Sequence, residues 1–255
     1  MIQAFKMAMK SISGNKFRAF LTMLGIIIGV MALVILVSLV SGATGTVTDT
    51  ISSLGSNLLS VTVSDDKGAP VTLDTLDEWM ADPQIGLAAP SATTTATGKY
   101  SSTTKTVTVY GATPAYAPIN GQTVLLGRFL TQADVENHTS VCIISEKTAE
   151  DMVGYTDCLG EEISLDGRKF TVVGILKNDD ESLTGILTKN SMIAYIPYTT
   201  LMRLSATVSS TITSFSVSAP EGGNMATTES AMKRLLLDRF EDDEDAFSLL
   251  SQNML

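Results

Sequence analysis

Between Ala19 and Thr48 there is no charged residue, and from Leu21 to Val40 the chain is apolar with few breaks. Those 20 residues, wound as an α-helix at ~1.5 Å per residue, cover ~30 Å, the hydrocarbon thickness of a bilayer. A core helix of a water-soluble domain rarely needs so long an uninterrupted run. The flanking charges give the run a direction. Lys6, Lys10, Lys16 and Arg18 precede it, and no acid occurs before Asp49. By the positive-inside rule this predicts residues 1–18 on the cytoplasmic side, a membrane helix over 19–42, and everything after Gly42 outside. A cleaved signal peptide is the competing reading, since Ser41-Gly42-Ala43 would pass as a small-residue cleavage site. Its apolar region is normally only ~7–15 residues, so the length favours an uncleaved span.

Two features of this N-terminal region bear on neighbours. Gly25 and Gly29 lie four apart inside the run, which would form a flat strip against which a second helix packs closely. Glycine is also simply common in membrane helices, and the motif alone does not decide between the two. Before the run, Ile2, Phe5, Met9 and Ile12 share one helical face, with Gln3, Lys6, Lys10 and Ser13 beside it. A basic amphipathic segment of this kind lies in the lipid headgroup plane.

The acid excess, a net charge of −10 for the chain, lies wholly after the apolar run. A basic head, an apolar run and an acidic body are a membrane-oriented pattern, and no nucleic-acid partner is expected. In the body, Leu59, Val61 and Val63 alternate with Ser60, Thr62 and Ser64, which predicts a half-buried strand. "LDTLDEWMAD" predicts a short helix with Asp74 as its N-cap, ending at Pro83. The Ser/Thr-rich stretch 91–108 predicts strands around a turn near Lys99–Lys105. Asp166-Gly167 between alternating segments predicts a tight hairpin. "SEKTAEDMVG" predicts a helix capped by Ser145, "SMIAYIPYTTLMRL" a strand entering a helix at Pro197, and "ITSFSVSAP" another strand. Met232, Leu235, Leu236 and Phe240 form the apolar face of a helix ending near Arg239. The acidic run Glu241–Asp245 predicts a solvated turn, with no EF-hand spacing for calcium. The order is that of an α+β body. Strand–helix units near Leu58–Ala81 and Thr211–Phe240 are expected to pair in one sheet, with the middle of the chain inserted as a second lobe.

No catalytic constellation emerges. The single histidine, His138, sits in a polar stretch and supplies neither a zinc ligand set nor a triad. There is no P-loop, no G-x-S-x-G and no H-E-x-x-H, so neither ATP binding by a P-loop nor a cofactor or metal site is predicted. Cys142 lies in the apolar stretch "VCII" and reads as packing. Cys142 and Cys158 are a candidate disulfide pair, because an outside compartment permits a bridge. The sequence does not establish that their Cα atoms come within ~7 Å.

The stretch "FRAFLTMLGIIIGVMALVILVSLVSGA", followed by "ISSLGSNLLSV", "LLGRFLT", "VCIISEKTAEDMVG" and "LGEEISLDGRKFTVVGIL", resembles the MacB-type permeases of ABC transporters, in the wider FtsX-like and lipoprotein-releasing group. The resemblance runs in order along nearly the whole chain. It implies a first membrane helix leading into an extracytoplasmic core domain over 43–255. That domain would have a Porter-like part, 43–112 and 191–255, and an inserted Sabre-like lobe, 113–190.

The resemblance also implies a noncatalytic subunit that passes motion from a separate cytoplasmic ABC ATPase to the outer domain, for export or efflux. Its partners would be that ATPase, a second permease copy or paired permease, membrane lipids, and an adaptor or outer-envelope protein. The family pattern continues with three more membrane helices, whereas this sequence stops at "SQNML". That suits a fragment, a truncated gene or a split gene. The alternative is a membrane-anchored extracytoplasmic binding or sensor module without transport. Neither the substrate nor the type of envelope is legible.

Overall fold

The computed structural model describes residues 17, 20, 21, 23–35, 58–178 and 191–251. They belong to two units, one within residues 1–50 and one within 51–255.

In the first unit, residues 20, 21 and 23–35 are helical. Their large apolar side chains are exposed on every side: Ile26 at 67% and Leu33 at 65%, with Met23, Ile28 and Val30 similar. A helix that is apolar all round is one that protein or lipid must cover. Residues 23–35 reach only ~20 Å, and no helix among the described residues is long and apolar enough to cross a membrane. The span expected over 19–42 is therefore described only in its N-terminal part, and the basic amphipathic segment lies outside the described residues.

The second unit is built, in order, from β1 (Leu58–Val63), α1 (Leu73–Trp79), β2 (Ala88–Pro90), β3 (Ala92–Tyr100), β4 (Thr103–Ala112), α2 (Tyr116–Ile119), β5 (Val124–Gly127), α3 (Gln132–Glu136) and β6 (Val141–Ser145). After α4 (Glu146–Thr148), which runs into a π-helical turn, come β7 (Glu162–Leu165), β8 (Arg168–Leu176), β9 (Ile193–Pro197), α5 (Tyr198–Leu204), β10 (Ser214–Ser218), α6 (Met225–Arg239) and β11 (Phe247–Ser251).

Two sheets result. The first is antiparallel with order β11-β1-β10-β2. β1 meets β10 with Val61 opposite Phe215, so the two ends of the body do pair in one sheet. Its inner face, with Leu59, Val61, Phe215 and Val217, is covered by Leu76 and Trp79 of α1, Met232 and Leu236 of α6, and Phe240, which caps α6. The α1 cap is Thr72, which exchanges hydrogen bonds with Thr75. Asp74 lies inside the first turn, not at the cap.

The second sheet has order β5-β8-β6-β9-β4-β3-β7, and β7 returns to pair with β8. Six strands thereby close into a ring, filled by Val107, Val109, Cys142, Ile144, Ile163, Phe170 and Ile196. The hairpin into β8 turns at Asp166 and Gly167, both at positive φ, 47° and 84°, as a two-residue hairpin of Asp-Gly type requires.

The lobe boundary differs from the expected one. β3 and β4 (92–112) and β9 (193–197) belong to the ring, not to the sheet made from the chain ends. The reason is a non-local parallel pairing of β4 with β9, Tyr110 opposite Tyr195, which draws both segments into the middle lobe. Strand β11 follows the acidic run directly and had no counterpart in the sequence reading.

Candidate functional site

The two lobes share a joint. In α5, Tyr198 packs into the core of the first sheet and Leu201 into the ring's core. The Tyr198 hydroxyl donates to the Ser209 carbonyl at 3.1 Å. Between these two residues, Thr199 and Thr200 donate to the carbonyls of Val135 (2.5 Å) and Thr139 (3.0 Å), tying α3 to α5.

α3 is itself fixed by a buried carboxylate. Asp134 is 5% exposed. It receives hydrogen bonds from Arg128 (2.6 Å), the Thr131 hydroxyl (2.7 Å), the Thr131 N–H (2.9 Å) and the Thr139 hydroxyl (3.1 Å). Burial opposes its ionisation, but the guanidinium and the Thr131 donors outweigh burial and hold the carboxyl well below the usual range.

A cleft of about 300 Å³ opens between α1 and these elements. Leu73, Leu76 and Met80 line one side, Pro114, Pro118 and Val135 the other. Three polar residues interrupt the apolar wall: Asp77, Thr113 and Gln132. Partial burial raises the Asp77 carboxyl, and the Asp74 and Glu136 carboxylates push it further up. The Thr113 hydroxyl is buried with no hydrogen-bond partner. This cleft is not legible in the sequence, since Asp77 and Glu136 meet only through the tertiary arrangement; a local hint is the proline spacing in "ATPAYAP".

The residues singled out from sequence lie elsewhere. Gly25 and Gly29 are on the N-terminal helix, and a Cβ built on either would meet nothing within 4 Å. Cys142 and Cys158 belong to the same ring core and are both buried free thiols, with no bridge between them. Burial pushes both thiols up, so neither is a ready nucleophile. His138 is half-buried at φ 50°, and its Nδ1 is buried without a partner. In the acidic run, Asp243 pairs with Lys67 at 2.7 Å and Glu244 with Lys233 at 2.8 Å. Among the described residues no group of three or more His, Cys, Asp or Glu is placed to hold a metal ion.

The comparisons with known proteins agree with this architecture. The family model described as "MacB-like periplasmic core domain" matches residues 19–235. The macrolide export ATP-binding/permease protein MacB of Neisseria gonorrhoeae is 28% identical over 253 residues, covering 96% of this chain and 38% of that protein. MacB 2 of Aeromonas hydrophila is 26% identical, covering 99% and 39%. The chain thus spans less than two-fifths of these relatives. Among solved structures, the periplasmic region of MacB from Actinobacillus actinomycetemcomitans superposes with a TM-score of 0.65 at 20% identity, covering 80% of this chain and 92% of that one. The extracellular domain of the ABC-type transporter YknZ from Gram-positive bacteria gives 0.60 at 21%, covering 76% and 100%.

Proposed function

Because the chain belongs to the MacB-like periplasmic core domain family, we propose that it is the leading helix and outer domain of an ABC transporter permease that works by transmitting motion. ATP hydrolysis would occur in a nucleotide-binding partner or domain, and this region would carry the resulting movement outward for export.

The observation that supports this most is the match itself, which includes the apolar helix and both lobes in one family unit, residues 19–235. The exposed apolar surface of the N-terminal helix is consistent with lipid and a second permease helix as its covering. Gly25 and Gly29 are the positions at which such a helix approaches. The α5 joint, with Tyr198 in one core and Leu201 in the other, supports a mechanical link between the lobes without any chemical step.

The test is made in the complete permease together with its ATPase. Gly25→Leu with Gly29→Leu adds bulk where close approach is proposed, while leucine favours membrane insertion. Export or dimer cross-linking should fall at least tenfold with membrane insertion unchanged. His138→Ala should leave export near the wild-type rate. Normal export by the double leucine variant, with His138→Ala inactive, overturns the mechanical reading.

A further inference from the structure

The cleft beside α1 combines two features that together describe a ligand. Its walls are apolar on both sides, so an apolar body entering the roughly 300 Å³ space releases water from Leu76, Met80, Pro114 and Pro118. Volumes of this size lie at the lower end of small-molecule sites, which typically carry a few polar groups on an apolar lining.

The second feature is charge. Asp77 lines the cleft and feels the carboxylates of Asp74 on α1 and Glu136 on α3, with no neighbouring base acting on it. Among the described residues none of these three carboxylates is in a salt bridge. Asp77 is exposed to solvent and is the one charged residue in the cleft lining, so an anionic ligand would be repelled there and a neutral one would gain nothing from it. A cation is attracted.

We propose that the cleft binds a small amphipathic cation, its apolar body between α1 and the Thr113–Pro118 turn and its ammonium group at Asp77. The occupant is a small molecule and not a peptide segment. This goes beyond the transport reading and does not rest on it, since binding is measured on the chain alone.

Three near-isosteric probes separate the contributions: 4-phenylbutylammonium, 4-phenylbutanol and 4-phenylbutyrate. They are titrated calorimetrically against the full chain in lipid nanodiscs, with empty nanodiscs subtracted. The ammonium is expected to bind at least tenfold more tightly than the alcohol, and the carboxylate not measurably. Asp77→Asn should bring the ammonium to the level of the alcohol. Ala115→Trp, which fills the cleft, should abolish binding of both while the melting transition is retained. Should Ala115→Trp unfold the chain, Met80→Phe narrows the same space and is read the same way. Equal affinity for ammonium and alcohol, an ammonium preference that survives Asp77→Asn, or no binding of the ammonium to the wild-type chain overturns the proposal.

Discussion

Arg128 and Asp134 are joined by a 2.6 Å charge-assisted hydrogen bond, and the same carboxylate closes the Thr131 capping box that starts α3. Removing the guanidinium leaves a buried carboxylate with only hydroxyl and amide donors. Arg128→Ala should therefore cost about 2–4 kcal/mol. The pH dependence follows from the direction of the shift. The folded carboxyl is held below its unfolded value, so its contribution is complete above about pH 4 and is lost as pH falls toward the folded pKa. Urea unfolding of wild type and Asp134→Asn should show a stability gap at pH 7 that narrows steadily below about pH 4. A gap independent of pH would mean that Asp134 stabilises by shape alone.

The Arg128 backbone sets a second constraint. Its N–H donates to the Val173 carbonyl at 3.0 Å, and its own carbonyl lies where a Cβ on Gly174 would be. Backbone cannot yield there as the end of a flexible side chain would. Gly174→Ala should cost about 2–3 kcal/mol, as overpacking of a tight core does. Denaturant midpoints measure it. A midpoint shift under about 0.5 kcal/mol equivalent would show that β5 moves away from β8 easily.

What was legible in the sequence was local. The Asp166-Gly167 turn, the Ser145 cap and the strand-to-helix junction at Pro197 each depend on neighbouring residues, and each is found in the structure. The alternation of Leu59, Val61 and Val63 likewise reports a face buried on one side only. The lobe boundary was not legible, because it rests on the parallel pairing of Tyr110 with Tyr195, and nothing near either residue names its partner. β11 was hidden by its pattern: Leu250 is 65% exposed while Ser251 is buried, so its side chains do not alternate by polarity. The cleft escaped for the same reason as the boundary, since its walls come from α1 and from α2–α3, brought together by the joint at α5.

The cysteines give a prediction that the expected compartment alone would not. Both lie in the ring core at no more than 1% exposure, and both are free. Denatured, unreduced protein should titrate two thiols, and native protein should react slowly, since burial suppresses the thiolate. Two missing thiols in the denatured titration would mean that the pair bridges after all in an oxidising compartment.

The orientation of the chain is the remaining prediction, and it follows from charge. Four bases with no acid before Asp49 place the N-terminus inside by the positive-inside rule. Lys105 sits exposed on β4, one strand of the long β3–β4 hairpin of the outer domain. Cysteines placed at Gln3 and Lys105 should therefore label oppositely with a membrane-impermeant reagent in intact spheroplasts: position 105 reacts, and position 3 reacts only after permeabilisation. The native thiols contribute little background because both are buried. Labelling of position 3 with position 105 protected would reverse the topology and with it the assignment of the two lobes to the outer side. Proteolytic processing after Ala43 would instead identify the apolar run as a cleaved signal, and the glycine strip would then have no membrane role.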